Sequence, residues 1–124
     1  SAQCLAKFLK EFYSGRKLVL VMAVLKNKDV EGIAEALCPL ATWLIVTSVD
    51  SPRALPIRDL CTKIRKYCHT EPLEEKSVKD ALRRAKKMAK EEGVICATGS
   101  IYLVGEILSL MKEEEFLLED KERN

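Results

Sequence analysis

The residues best placed to do chemistry lie in a short turn, Thr98-Gly99-Ser100. An apolar, β-prone run, Val94–Ala97, precedes this turn, and a segment with helical apolar periodicity, Ile101–Met111, follows it. The first turn of a helix leaves backbone N–H groups without partners, which attracts anions, and a serine at the N-cap adds a hydroxyl. The turn therefore predicts either a site for a carboxylate or phosphate or a well-capped helix that binds nothing.

Two further polar loops follow predicted strands. Lys26-Asn27-Lys28-Asp29 comes after the apolar run that ends at Val24, and Asp50-Ser51-Pro52-Arg53 comes after the run that ends at Thr47. In a parallel sheet the carboxyl ends of the strands share one edge, so all three loops should meet there. Two lysines, an arginine and a helix N-terminus would make that edge attractive to anions.

Other chemistries leave no matching pattern in the sequence. The sequence contains neither a P-loop nor a Gly-x-Gly-x-x-Gly fingerprint, and Ser100 does not lie in Gly-x-Ser-x-Gly. The only histidine, His69, adjoins Cys68 and lies far from Ser100 in sequence, which argues against a hydrolase. Five cysteines without a Cys-x-x-Cys motif argue against a zinc site or a disulfide framework, and reduced thiols indicate a cytoplasmic protein.

The elements that must position these loops alternate between strands and helices. Strands are predicted at 17–24, 42–47, 94–97 and, more weakly, 70–73, and helices at 1–13, 30–37, 56–67, 78–90 and 101–111. Ser77 is the predicted N-cap of the fourth helix, and Glu91-Glu92-Gly93 is its predicted stop. The apolar face of the first helix should carry Leu5, Phe8, Leu9 and Phe12. Alternation of this kind predicts an α/β fold with a mostly parallel sheet and helices on both faces.

Size and charge limit the class of protein. A chain of 124 residues with 48% hydrophobic and 32% charged residues is an ordinary single globular domain. A net charge of +2 argues for neither nucleic acid nor an anionic membrane as partner, and no apolar run is long enough to span a bilayer. One helix does carry a basic face: Lys79, Arg83, Lys86, Lys87 and Lys90. Since no aromatic residue alternates with these bases, a solvated face is favoured over nucleic-acid binding.

Three segments taken together resemble one family. They are Leu18–Asp29, Val46–Pro56 and Ala97–Glu106, and in this order they resemble the C-terminal domain of folylpolyglutamate synthase and of the bifunctional dihydrofolate synthase, in the Mur ligase superfamily. The resemblance covers residues 1–111, and residues 112–124 form an acidic tail, helical or frayed, outside it. It implies a Rossmann-like, three-layer α/β/α domain.

The resemblance also implies a reaction. ATP phosphorylates a carboxylate of dihydropteroate or folate, and the amino group of L-glutamate then attacks the acyl phosphate. By the same resemblance, this domain helps to hold glutamate and ATP and supplies no catalytic residue or metal ligand. The residues implied to bind glutamate are Ser100, Lys26, Lys28, Thr98 and Arg53, and those implied to face ATP or position the loops are Asp29, Asp50 and Tyr102.

The sequence departs from the family in one respect. The family's Asp-Gly-Ala-His-Asn-Pro motif and the strand before it should lie just ahead of Ser1, and its phosphate loop, magnesium ligands and central domain lie further upstream. We therefore expect ATP and Mg²⁺ to act in the full-length enzyme and this chain alone to bind neither and to be inactive. A missing first strand would leave a sheet edge through which the chain could form oligomers. A non-catalytic α/β binding module is the competing interpretation.

Overall fold

A computed structural model describes the backbone of residues 1–123 and the side chains of residues 1–114. In chain order the elements are α1 (Ala2–Phe12), β1 (Leu18–Met22), α2 (Val30–Leu37), β2 (Trp43–Val46), α3 (Ile57–Ile64), β3 (Leu73–Glu74), α4 (Val78–Ala89), β4 (Val94–Thr98) and α5 (Ile101–Arg123). Short 3₁₀ turns, Cys38–Leu40 and Arg65–Tyr67, follow α2 and α3.

The strands form one sheet in the order β3-β2-β1-β4. Every pairing is parallel, with Leu20 opposite Leu44 on one side and Cys96 on the other. The predicted α/β fold with a parallel sheet is therefore confirmed. Strand β4 pairs with β1 alone and has a free outer edge among the described strands.

Strand β1 is buried along its whole length because helices cover both faces of the sheet. Leu20 and Met22 pack into a core with α1, α2 and α3, whereas Val19 and Val21 pack into a second core with α4 and α5. Burial on both faces explains why this segment is continuously apolar instead of alternating with polar residues.

Short polar side chains cap α1, α2, α4 and α5 at their N-termini. The Ser77 hydroxyl accepts a hydrogen bond from the Asp80 backbone N–H at 3.1 Å, which confirms the predicted cap of α4. At its other end α4 stops at Ala89, earlier than the predicted stop at Glu91-Glu92-Gly93, because Lys90 adopts a φ of +55° that a right-handed helix cannot continue.

Most predicted elements have somewhat different bounds in the structure. The third strand is Leu73–Glu74, at the edge of the sheet beside β2, and it begins after Pro72, which has no N–H to donate to a ladder. Helix α3 begins at Ile57, with Pro56 outside it as the N-cap residue. Helix α5 continues past residue 111 without interruption, to Arg123.

The predicted apolar face of α1 is partly wrong. Ala6 and Leu9 are the buried residues of this helix, but Phe8 and Phe12 are 47% and 63% exposed. The two rings instead contact each other, with centroids 5.0 Å apart, on the outer side of the helix. Periodicity alone could not distinguish the two sides, because aromatic residues line one and Ala6 lines the other.

No helix in the described part of the chain is both long enough and apolar enough to cross a membrane.

Burial controls the chemistry of the cysteines. All five are free thiols, and Cys38, Cys61 and Cys96 are buried whereas Cys4 is exposed. Burial raises the pKa of the Cys38 thiol from 9.0 to about 12, and it raises the pKa of Cys61 and Cys96 as well.

We expect Cys4 to be alkylated first in the native protein at about pH 8, because only a thiolate is a good nucleophile and the buried thiols stay protonated. Intact-mass spectrometry over time should show one fast adduct, and all five sites should react in denaturant. Fast modification of Cys38 without unfolding would contradict the buried placement.

The same burial predicts how stability depends on pH. Because the pKa of Cys38 is higher in the folded than in the unfolded chain, its contribution to stability is complete below about pH 9 and is lost as the pH rises toward about 12. Urea unfolding should therefore show a free energy of unfolding that falls over this alkaline range, and a constant value would count against the raised pKa.

Candidate functional site

Backbone contacts bring the loop after β1 against the loop after β2. The Lys26 N–H donates to the Arg53 carbonyl at 2.9 Å, and the Leu55 N–H donates to the Val24 carbonyl at 2.9 Å. Leu25 and Ala54 also form an isolated antiparallel bridge. These contacts fix the two predicted loops side by side at the carboxyl edge of the sheet.

The turn after β4 lies directly against the end of β1. Gly99 has a φ of +108°, and a Cβ at this position would lie 2.6 Å from the Ala23 carbonyl oxygen and from Cγ1 of Val24. The Ala23 N–H donates to the Thr98 carbonyl at 3.3 Å. Both the backbone conformation and the lack of space require glycine at this position.

Ser100 caps α5, as predicted. Its Oγ accepts a hydrogen bond from the Tyr102 N–H at 3.0 Å, and its carbonyl accepts from the Val104 N–H at 3.3 Å. The side chain is held in place because the residue is only 8% exposed. Since Oγ is the acceptor in this bond, the hydroxyl hydrogen remains available for an anionic acceptor.

An open cleft of about 520 Å³ lies between these loops and the start of α1. The N-terminal ends of α1 and α5 both open onto it, and the two cations in its lining are Lys28 and Arg53. Among the described residues, no aspartate or glutamate lines the cleft. Amide groups at two helix starts, two cations and no carboxylate make this cleft suited to an anion.

The structure brings together five of the eight predicted site residues. The residues that line the cleft are Lys28, Arg53, Thr98, Ser100 and Tyr102. Lys26 and Asp50 are exposed and lie outside the lining. Asp29 is occupied in capping α2, where its Oδ1 accepts a hydrogen bond from the Gly32 N–H at 3.1 Å.

One wall of the cleft was not anticipated from the sequence. Its lining also includes Ser1, Ala2 and Leu5 at the start of α1, Ile33 of α2 and Val104 of α5. The signal in the sequence was Leu5 itself, because an apolar residue near a helix start tends to pack against other residues. The sequence does not indicate that Leu5 lies beside the loop after β1 and the turn after β4.

A family model named "Mur ligase, glutamate ligase domain" matches residues 1–101 of this chain. The chain belongs to this family. The match includes the three loops around the cleft and ends at the first residue of α5. The resemblance drawn from the three sequence segments is therefore confirmed at the level of the family.

Named relatives of the domain are folate enzymes. The dihydrofolate synthase/folylpolyglutamate synthase of Mycobacterium tuberculosis is 44% identical over 59 residues, which is 48% of this chain and 12% of that protein. The structure of Mycobacterium tuberculosis folylpolyglutamate synthase complexed with ADP and AMPPCP matches 88% of this chain with 30% identity and a TM-score of 0.78. Escherichia coli FolC, complexed with DHPP and ADP, shares the fold over 92% of this chain, with a TM-score of 0.82 at 19% identity.

The chain spans only part of each relative. It corresponds to 26% of the length of both solved structures and to 12% of the curated mycobacterial protein.

Replacement of Gly99 by alanine should destabilise the domain by about 2–4 kcal/mol, because the new Cβ would overlap the Ala23 carbonyl in a backbone conformation that side chains rarely adopt. Urea denaturation measures this change. The matched control is Gly105→Ala on α5, where nothing lies within 4 Å of the added Cβ and helix propensity should increase stability by about 0.5–1 kcal/mol. Equal effects of the two substitutions would show that β1 and the turn are not in contact.

Proposed function

We propose that this chain is the glutamate-binding domain of an ATP-dependent ligase that adds L-glutamate to a folate or dihydropteroate carboxylate. In this reaction ATP transfers its γ-phosphoryl group to the carboxylate, and the glutamate amine then displaces phosphate to form the amide. The single observation that carries the proposal is the carboxylate-free cleft at the carboxyl edge of the sheet, in a chain that belongs to the Mur ligase glutamate ligase family.

The cleft matches the charges of glutamate. Glutamate carries two carboxylates, and the Arg53 guanidinium can hold one of them with two parallel hydrogen bonds. The Ser100 hydroxyl and the first-turn amides of α5 can hold the other, with Thr98 beside them. Lys28 adds a mobile point charge at the rim, and Lys26 lies on the same loop, outside the lining. Two separate anion-binding groups would fix the direction in which the amine points.

The domain acts in this proposal by positioning. Holding an amine against an acyl phosphate converts a bimolecular step into an effectively unimolecular one, without acid or base chemistry from the domain itself. The cleft lining offers no carboxylate for Mg²⁺, so we propose that Mg²⁺ and most of the contacts to ATP come from the rest of the enzyme. Asp29, Asp50 and Tyr102 then position the loops, and this chain alone is inactive.

The charges on α4 bear on whether nucleic acid is a partner. The basic face of α4 is partly neutralised, since Arg83 pairs with Asp80 and Lys86 pairs with Glu114. These pairs support the absence of nucleic acid as a partner. The five cysteines form no disulfide, which supports a reducing, cytoplasmic location.

The free edge of β4 is the proposed site for a further strand. Helices α1 and α2 pack on the same face of the sheet, and a right-handed connection through α1 into β1 must start on the β4 side of the sheet. Since β1 and β4 are paired directly, that strand would lie beyond β4. We propose that polypeptide preceding α1 fills this position in the whole enzyme and that a second copy of the chain can pair there otherwise.

Substitution of the two anion-binding groups tests the function. In the enzyme that contains this domain together with its ATPase domain, Ser100→Ala and Arg53→Gln should each raise the KM for glutamate about 10–100-fold, because each removes a hydrogen bond to a charged group. The KM for ATP should change little. Steady-state assays with radiolabelled glutamate and a folate acceptor measure both constants.

The matched control is Arg58→Gln on α3. This side chain is 87% exposed, pairs with Glu74 and lies outside the cleft, so all kinetic constants should be preserved. An unchanged glutamate KM in both cleft variants would refute the assignment and would favour a non-catalytic binding module with the same fold.

A further inference from the structure

A second and larger cleft lies at the opposite end of the sheet. Its volume is about 1130 Å³, against about 520 Å³ for the candidate glutamate site. Its lining includes Lys17 just before β1, Trp43 at the start of β2 and Gly93 just before β4. It is therefore at the amino ends of the strands and remote from the three loops of the first site.

The lining of this cleft combines cations with an apolar floor. Trp43, Met88 and Ala89 supply the apolar surface, and two carboxylates, Glu91 and Glu92, lie on the turn after α4. Four bases outnumber these acids: Arg16, Lys17, Lys87 and Lys90. Small-molecule sites typically show this composition, with an apolar body and a few charged groups that set orientation.

Arg16 is held in a fixed position before any ligand arrives. Its Nε and Nη2 donate hydrogen bonds to the Glu92 carbonyl at 2.9 and 2.7 Å, and its guanidinium carbon lies 5.4 Å from the centroid of the Tyr13 ring. These contacts use only part of the five N–H groups of an arginine. The remaining N–H groups are held in a defined orientation for an anion.

Lys17 is placed next to the only tryptophan of the chain. Its ammonium lies 5.5 Å from the centroid of the Trp43 ring, within the range of a cation–π contact. An anion that binds the Lys17 ammonium would therefore change the electrostatic environment of the Trp43 indole directly.

Among the described side chains, the remaining two lysines are not engaged in ion pairs. No carboxylate lies within 4.0 Å of the ammonium of Lys87 or Lys90 among the described side chains, whereas Lys86 in the same turn pairs with Glu114. Lys87 lies in the last turn of α4, where a positive charge stabilises the helix dipole. This role does not account for the other three bases that line the same cleft.

We propose that this cleft binds a small aromatic oligoanion: a flat heteroaromatic ring that carries two or more negative groups. The ring rests on the apolar floor, and the negative groups contact Arg16, Lys17 and Lys90. Two sources share this chemistry, a nucleotide with its phosphates and a pterin with its chain of glutamates. The site is distinct from the proposed glutamate site and does not depend on it.

Titration of the purified chain distinguishes these possibilities, with Trp43 fluorescence and calorimetry as independent readouts. The probes are ATP, pteroyl-tri-γ-glutamate, inorganic pyrophosphate as an anion without a ring, and adenosine as a ring without charge. We expect saturable binding of one of the two aromatic oligoanions, with binding of pyrophosphate and adenosine at least about tenfold weaker. The oligoanion that binds identifies the source.

A pair of double variants with equal net charge serves as the control. Lys87→Gln/Lys90→Gln should weaken binding about tenfold or more, whereas Lys63→Gln/Lys76→Gln, which removes the same charge away from the cleft, should not. Ser100→Ala should also leave this binding unchanged, so failure of the proposed glutamate site and of this site can be told apart. Equal weakening by the two double variants, tight binding of pyrophosphate alone, or no saturable signal would overturn the proposal.

Discussion

The burial of β1 on both faces is the constraint on which the rest of the fold depends. A strand without a solvent-facing side needs a partner strand at each edge and a layer of helices above and below it. Strands β2 and β4 are the partner strands at the two edges of β1. Helices α1–α3 cover one face of the sheet, and helices α4 and α5 cover the other. No other strand of the sheet is buried at every residue.

The candidate glutamate cleft follows from this arrangement. After β1 the chain passes to α2 on one face, whereas after β4, its neighbour in the sheet, the chain enters α5 on the other face. Connections that leave two adjacent strands in opposite directions open a crevice at their carboxyl ends. Gly99 keeps this crevice narrow at its base, because only a residue without a side chain can lie against Ala23.

Features that depend on neighbouring residues in the chain could be predicted from the sequence, whereas features that depend on contacts between distant segments could not. The continuous apolar run of β1 and the cap residues Ser77 and Ser100 depend on local chemistry, and both are confirmed. The wall formed by Leu5 and the exposure of Phe8 depend on which side of α1 meets α2, and helical periodicity alone does not determine that. The basic cleft at Trp43 was missed for the same reason, since its lining comes from segments far apart in the chain.

The two ends of the sheet attract anions by different physical means. At the carboxyl end, the helix starts of α1 and α5 present backbone amides, so two cations and a serine suffice. At the amino end, the C-terminus of α4 presents carbonyl groups that disfavour an anion, and four basic side chains must outweigh them. Charges on exposed side chains are screened by salt, and the amino-end cleft relies on four of them, against two at the carboxyl end. Binding at the amino end should therefore depend more strongly on ionic strength than binding at the carboxyl end, which provides a way to assign an observed anion to one of the two clefts.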